Sequence, residues 1–223
     1  MSKYMIKKAA RAVPLTGEVI GPWSRAEVLK IDHYPWYKAG VKQATSVRLL
    51  YDAKAIYVQF ICEDKHIFAR KTEFNGPVCL DSCVEFFATI EPAVRPDYFN
   101  LEINCCGQIH MGFGQERHGR ILMAPELARR MKIVTSIKAS SKEESAKDNG
   151  WWVAAAIPFD VISEFASQKN PGTLVKPGKG TVWKANFYRC GGKTDEQYAV
   201  WNDIKWAKPD YHRPEFFGEL EFV

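Results

Sequence analysis

Two short segments of this chain set oxygen-bearing side chains at alternate positions. CLDSCVEFF places Asp81, Cys83 and Glu85 two residues apart, and YFNLEIN does the same for Asn100, Glu102 and Asn104. Alternate residues of a β-strand share a face, so each segment presents a row of polar groups on one side. Carboxylates and amides held rigidly in a cleft suit a ligand rich in hydroxyls, because each polar group buried without a partner costs about 1–3 kcal/mol. Glu85 and Glu102 on nearby strands also meet the spacing of about 5–10 Å that glycoside hydrolysis asks of two carboxylates. Further along, WKANFYR offers Asn186 and Arg189 among aromatics, and the planar fork of Arg189 suits either a ligand or backbone carbonyls. His110, Met111 and Met123 are the residue types that ligate haem, but no C-x-x-C-H motif accompanies them, and lone His and Met residues on strands usually pack.

Six cysteines, Cys62, Cys79, Cys83, Cys105, Cys106 and Cys190, include no C-x-x-C pair. They read as free, mostly buried thiols of a reducing compartment, with Cys105 and Cys106 pointing to opposite faces of a strand. Zinc binding is not expected, since neither cysteine pairs nor histidines fall at finger spacing, and a Gly-rich phosphate loop and a G-x-S-x-G elbow are absent. The formal charge of +5 is spread along the chain rather than gathered into a basic face, which argues against nucleic acid as a partner. No apolar run approaches the roughly 20 residues of a membrane helix, and Met1–Pro14 lacks the apolar stretch of a signal peptide. A cytoplasmic location is the expectation; a chain whose leader had been removed would read the same way.

The elements that must carry these residues are strands. Seven Trp, nine Tyr and thirteen Phe favour pleated, half-buried surfaces. Period-two patterning predicts strands over Ser46–Tyr51, Ala55–Glu63, Cys83–Ile90, Tyr98–Asn104, Gln108–Phe113, Met131–Ala139, Trp151–Ile157, Thr181–Arg189, Tyr198–Asn202 and Glu219–Val223. In Tyr98–Asn104, Phe99, Leu101 and Ile103 face one way while the polar residues form a solvated face. Pro158–Ala166 reads as a short helix with Pro158 at its first position, and Ala124–Arg130 as another turn or two. Residues 1–223 are therefore expected to form one all-β domain, a two-sheet antiparallel β-sandwich of jelly-roll or immunoglobulin-like kind with one or two short helices.

The order of motifs VRLLYDAKAIYVQF, CLDSCVEFF, YFNLEIN, GWWVAAAIPF, WKANFYR and HRPEFFGELEF resembles the carbohydrate-binding module family 9-like domains of the DOMON-like β-sandwich group, over roughly Trp23 to Val223. The resemblance implies non-catalytic binding of a sugar or polysaccharide fragment on a sandwich surface, and a structural calcium ion in several relatives. It also implies two tryptophans clamping the sugar, at the places held here by Cys79 and Arg189, with Glu85 and Asn186 as polar partners. The site expected from residues and resemblance together is Glu85, Asn186, Arg189, Asp81, Asn104 and Trp201, the last as an aromatic platform near the loop-rich C-terminal region. Without the clamp, binding is expected to be weak or retuned to an acidic sugar paired by Arg189. Hydrolysis by Glu85 and Glu102 and haem binding are the alternatives.

Overall fold

The computed structural model describes residues 2–223, and its regular elements are mostly strands. The strands are β1 (Lys3–Lys8), β2 (Leu29–Ile31), β3 (Thr45–Tyr51), β4 (Ala55–Glu63), β5 (Cys83–Thr89), β6 (Tyr98–Asn104) and β7 (Ile109–Gly114). After them come β8 (Ile121–Leu122), β9 (Lys132–Thr135), β10 (Gly150–Pro158), β11 (Val182–Gly191), β12 (Gln197–Val200) and β13 (Gly218–Phe222). Two short helices, α1 (Pro125–Ala128) and α2 (Phe159–Ser167), lie on either side of β9 and β10 in the chain. Pro158 ends β10 in extended backbone and caps α2 rather than opening it. Among the described residues, no helix is long and apolar enough to cross a membrane.

All ladders are antiparallel except those of β1. Its residues Lys3–Ile6 pair in parallel with Glu219–Phe222 of β13, and Lys7 and Lys8 pair in parallel with Leu50 and Tyr51 of β3. One curled mixed sheet results, in the order β8-β7-β6-β5-β11-β13-β1-β3-β4-β10-β9, with β12 on β11 and β2 on β3. The expected antiparallel sandwich is thus corrected at its seam, where the N-terminal segment switches layers.

The sheet folds onto itself, and the inward residues of both halves make one core. Phe60 of β4 approaches Phe187 of β11 at 6.2 Å between ring centroids, and Phe187 stacks on Phe86 of β5 at 4.8 Å. Period two in β11 sends Trp183, Ala185 and Phe187 inward and carries Arg189 inward with them. There the guanidinium is 1 % exposed and pairs with Asp64 at 2.5 Å, while its other nitrogen donates to the carbonyls of Cys83 (3.3 Å) and Cys190 (2.7 Å). Asp64 also accepts from Ser82 Oγ at 2.8 Å and Trp151 Nε1 at 3.0 Å.

Three further readings change on burial. The polar face of β6 is not solvated, because Asn100, Glu102 and Asn104 are all buried beneath neighbouring segments. Cys105 and Cys106 lie in the turn after β6, with their sulfurs 4.0 Å apart instead of on opposite faces. Trp201 joins the core, edge-on to Phe187 at 5.7 Å.

Removing one partner of a buried ion pair strands the other charge, at a cost of about 3–5 kcal/mol, whereas replacing both by apolar groups costs far less. Asp64→Ala and Arg189→Ala should each lower stability by about 3–5 kcal/mol in urea unfolding, and Asp64→Leu with Arg189→Met should recover most of it.

Candidate functional site

The opposite face of β5, β6 and β11 builds the site. Register places Glu85 of β5 directly across from Glu102 of β6 and Tyr188 of β11, and Cys83 directly across from Cys190. Tyr188, Phe87, Tyr98 and Phe217 pack beside these residues as a second, smaller apolar cluster. Tyr211 stacks on Tyr188 at 4.2 Å between centroids, and His212 lies over Phe87 at 5.0 Å. Between that covering segment and the sheet lies a cleft of about 220 Å³, lined among others by Cys79, Glu85, Glu102, Cys190, Tyr198 and His212.

Both carboxyls in the cleft are buried, and burial holds each above the ordinary glutamate value of 4.5; the neighbouring Glu102 pushes Glu85 further in the same direction. The Cys190 thiol donates to Glu85 Oε1 at 2.9 Å, and Asn100 Nδ2 donates to Glu102 Oε1 at 2.9 Å. Asn100 is itself held by Arg120 Nε at 2.9 Å, whose guanidinium lies 4.3 Å from the Tyr98 ring centroid. His212 is pushed down to about 3, first by burial and then by the charges of Arg120 and Arg117. Its ring is therefore neutral at pH 7, with Nδ1 hydrogen-bonded to the Tyr98 hydroxyl at 2.9 Å.

Of the six site residues expected from the sequence, Glu85 alone lines the cleft. Asp81 accepts from the backbone of Arg70 and Lys71, each at 2.9 Å, and from Asn104 Nδ2 at 2.8 Å. Asn104 Oδ1 in turn accepts from the backbone of Cys106 and Gln108, closing the turn after β6. Asn186 is fully buried and binds the backbone of Asn202 through both ends of its amide. Arg189 and Trp201 face the inner core. The Cys190 side chain, one position beyond Arg189 on β11, points to the cleft face and reaches Glu85 there. Cys190, Tyr198, Tyr211 and His212 were missed as site residues. The signal for Cys190 was the parity of Trp183, Ala185 and Phe187; the others depend on where loops fold, which periodicity does not carry.

A second hollow of about 460 Å³ adjoins the cleft, sharing Tyr198, Glu196 and Pro209 and adding Tyr34, Trp36 and Tyr37. The combined surface offers aromatic walls beside a carboxylate-bearing floor, an arrangement that suits a ring with an apolar face and a polar rim.

Comparison with known proteins agrees. The family model described as carbohydrate-binding family 9 matches residues 22–222. The chain belongs to that family. Family 9 membership fits the fold of solved relatives as well. A candidate carbohydrate-binding protein of Bacteroides uniformis is 25 % identical, with a TM-score of 0.84 and 99 % of each chain covered. Two structures of a family 9 module from Caldicellulosiruptor kristjanssonii show the same fold. The complex with cellotriose is 15 % identical at TM-score 0.62, covering 99 % of this chain and 93 % of that one. The glucose complex is 16 % identical at 0.61, covering 98 % and 95 %. No curated protein matches the sequence.

Among the described residues, the group of three His, Cys, Asp or Glu side chains close enough to share an ion is Cys83, Glu85 and Cys190. Two sulfurs and one carboxylate do not suit calcium, which takes about six to eight oxygens. The haem candidates do not converge either. Met111 and Met123 are in the inner core, while His110 stands across from Glu102 with Nδ1 against the Asn75 carbonyl at 2.9 Å.

The depressed His212 sets a pH signature. The unfolded chain takes up a proton near 6.5 and the folded one only near 3, so this residue's contribution is complete above 6.5 and is lost as pH falls from there toward 3. Relative to His212→Asn, the natural chain should therefore lose stability across that window, by up to about 1.4 kcal/mol per pH unit, as read by urea midpoints at a series of pH values.

Proposed function

We propose that this family 9 domain binds a neutral sugar non-catalytically in the cleft between β5, β6 and the Tyr211–His212 segment. The observation that carries the reading is the facing pair Glu85 and Glu102 at the floor of a cleft walled by Tyr198, Tyr211 and His212. Carboxylates accept hydrogen bonds from sugar hydroxyls, and the aromatic rings cover the sugar's C–H surface. The ligands of the two Caldicellulosiruptor neighbours, cellotriose and glucose, are uncharged and support the same class.

The charge of the cleft supports a neutral ligand over an acidic one. The arginine expected to pair a uronate, Arg189, is engaged by Asp64 behind the sheet, and the cleft's own Arg117 is paired to Asp210 at 3.2 Å. A uronate would meet two carboxyls instead. The arrangement also favours binding over hydrolysis. Hydrolytic carboxyls flank the scissile bond from two sides, whereas Glu85 and Glu102 are cross-strand neighbours on one wall.

Affinity is weak in this reading, because a thiol stands at Cys79 where relatives are expected to carry a tryptophan. One added ring that buries a third of its roughly 150–250 Å² contributes about 1–2 kcal/mol. Titration calorimetry with glucose, cellotriose and glucuronate should show millimolar-range binding of the neutral sugars and none of glucuronate. Cys79→Trp should tighten binding by about tenfold, and Glu85→Gln should weaken it by about tenfold or more. Preferential binding of glucuronate, or equal binding by the Glu85→Gln variant, would reverse the assignment. Aryl glycosides should remain unhydrolysed by the natural chain.

A further inference from the structure

A second chemistry is built into the floor of the same cleft, and it does not depend on sugar binding. Cys83 and Glu85 are two residues apart on β5 and so share its outer face, and Cys190 stands directly across from Cys83 on β11. Their ligand atoms all lie within 4.8 Å of one another, and all three side chains are buried. Zinc–sulfur bonds of about 2.3 Å in a tetrahedral site put sulfurs roughly 3.8 Å apart, so closing this cluster on an ion takes side-chain shifts of about 1 Å.

The backbone beneath the cluster is fixed. Arg189 holds the carbonyls of Cys83 and Cys190 from behind the sheet. Gly191 lets the Cys79–Asp81 backbone lie against the end of β11: a Cβ there would stand 2.5 Å from the Cys79 carbonyl oxygen. Cys79 consequently borders the cluster on its open, cleft-facing side.

Packing alone accounts for buried thiols, which behave as small apolar groups. It does not account for a buried carboxyl placed between them. Neither Glu85 nor Glu102 takes part in any of the ion pairs among the described residues, and the nearest partner of Glu85 is the Cys190 thiol. The cations that act on this pair, Arg117 and Arg120, form no ion pair with it among the described residues, and a bound divalent ion supplies the direct contact that they do not. The donor set of two sulfurs and a carboxylate selects a thiophilic cation of the zinc class over calcium or magnesium.

We propose that Cys83, Glu85 and Cys190 form a binding site for a thiophilic divalent cation, with its remaining coordination position open to the cleft beside Cys79. Loading displaces the two thiol protons, so two protons leave as one M²⁺ enters and no redox step is involved.

The test uses the full chain, reduced and stripped with a chelator, titrated in the absence of sugar with zinc against a chromophoric competitor, and separately with cobalt(II). One zinc per chain, a sulfur-to-cobalt charge-transfer band and a rise in melting temperature on zinc addition are expected. Cys190→Ser and Glu85→Gln should weaken zinc by about a hundredfold or more and about tenfold or more respectively, while Cys106→Ser, in a turn outside the cluster, should leave it unchanged. Melting curves of the metal-free variants report whether each is folded, and the Glu85→Gln arm stands should Cys190→Ser fail to fold. The proposal is overturned by absence of the cobalt band in the natural chain, by zinc binding that survives Cys190→Ser and Glu85→Gln, or by loss of binding in Cys106→Ser. Failure of sugar binding in calorimetry leaves every one of these readouts in place, so the two assignments fail separately.

Discussion

The buried pair of Arg189 and Asp64 organises the molecule on both sides of one sheet. Asp64 gathers Ser82, Trp151 and Arg189 from three separate stretches of chain, and Arg189 spans the carbonyls of Cys83 and Cys190. Those carbonyls belong to the residues whose side chains point the other way, into the cleft. A buried ion pair is weak evidence of net stability, since desolvation offsets most of its attraction. What it supplies here is position: the inner guanidinium fixes the register and spacing of the outer-face groups. The cleft's geometry is set from behind, by residues on the inner face of the sheet.

The same alternation explains why the fold was legible and the site only partly so. Period two located ten of the strands, nine of them to within about two residues at each end, while β9 covers only Lys132–Thr135 of the expected Met131–Ala139. It failed at β1, where Tyr4 and Ile6 alternate among lysines over only six residues. That strand is the one that joins the two layers and brings parallel pairing into the sheet. Short strands carry too little pattern to register, and the direction of pairing is a property of topology, which local sequence does not encode.

At the candidate site, the sequence singled out two carboxylates that the structure brings together, while the other polar residues it singled out lie elsewhere. Glu85 and Glu102 stood out as acidic residues on apolar strands, and register brings them face to face. Asp81, Asn104 and Asn186 carry equally polar side chains but spend them on backbone groups of turns. Local side-chain to backbone bonding is the ordinary use of Asp and Asn in turns. A sequence shows only the residue type, while the competing partner is supplied by a loop distant in the chain. The covering segment with Tyr211 and His212 illustrates the converse: it contributes cleft walls from more than a hundred residues beyond Glu85, through contacts that no periodicity announces.

Small side chains at Cys79 and Cys190 are the choice on which both proposed chemistries turn. At Cys79, where the family resemblance expects an indole, a thiol leaves the cleft open, and the Cys190 sulfur reaches Glu85 beside it. The lone pairs of Glu85 cannot serve a cation and a sugar hydroxyl in the same geometry at full strength. Either ligand therefore changes the other's affinity, and by linkage it does so reciprocally. The sign depends on the fourth coordination position. If that position takes a sugar hydroxyl, the cation replaces the lost aromatic contact and the two ligands reinforce one another. If Cys79 swings in to fill it, the cleft closes on the ion and sugar is excluded. The arrangement of β5 and β11 permits either, because Cys79 lies on a 3-10 turn outside both strands and is the one cysteine of the four-residue neighbourhood not held by the ladder.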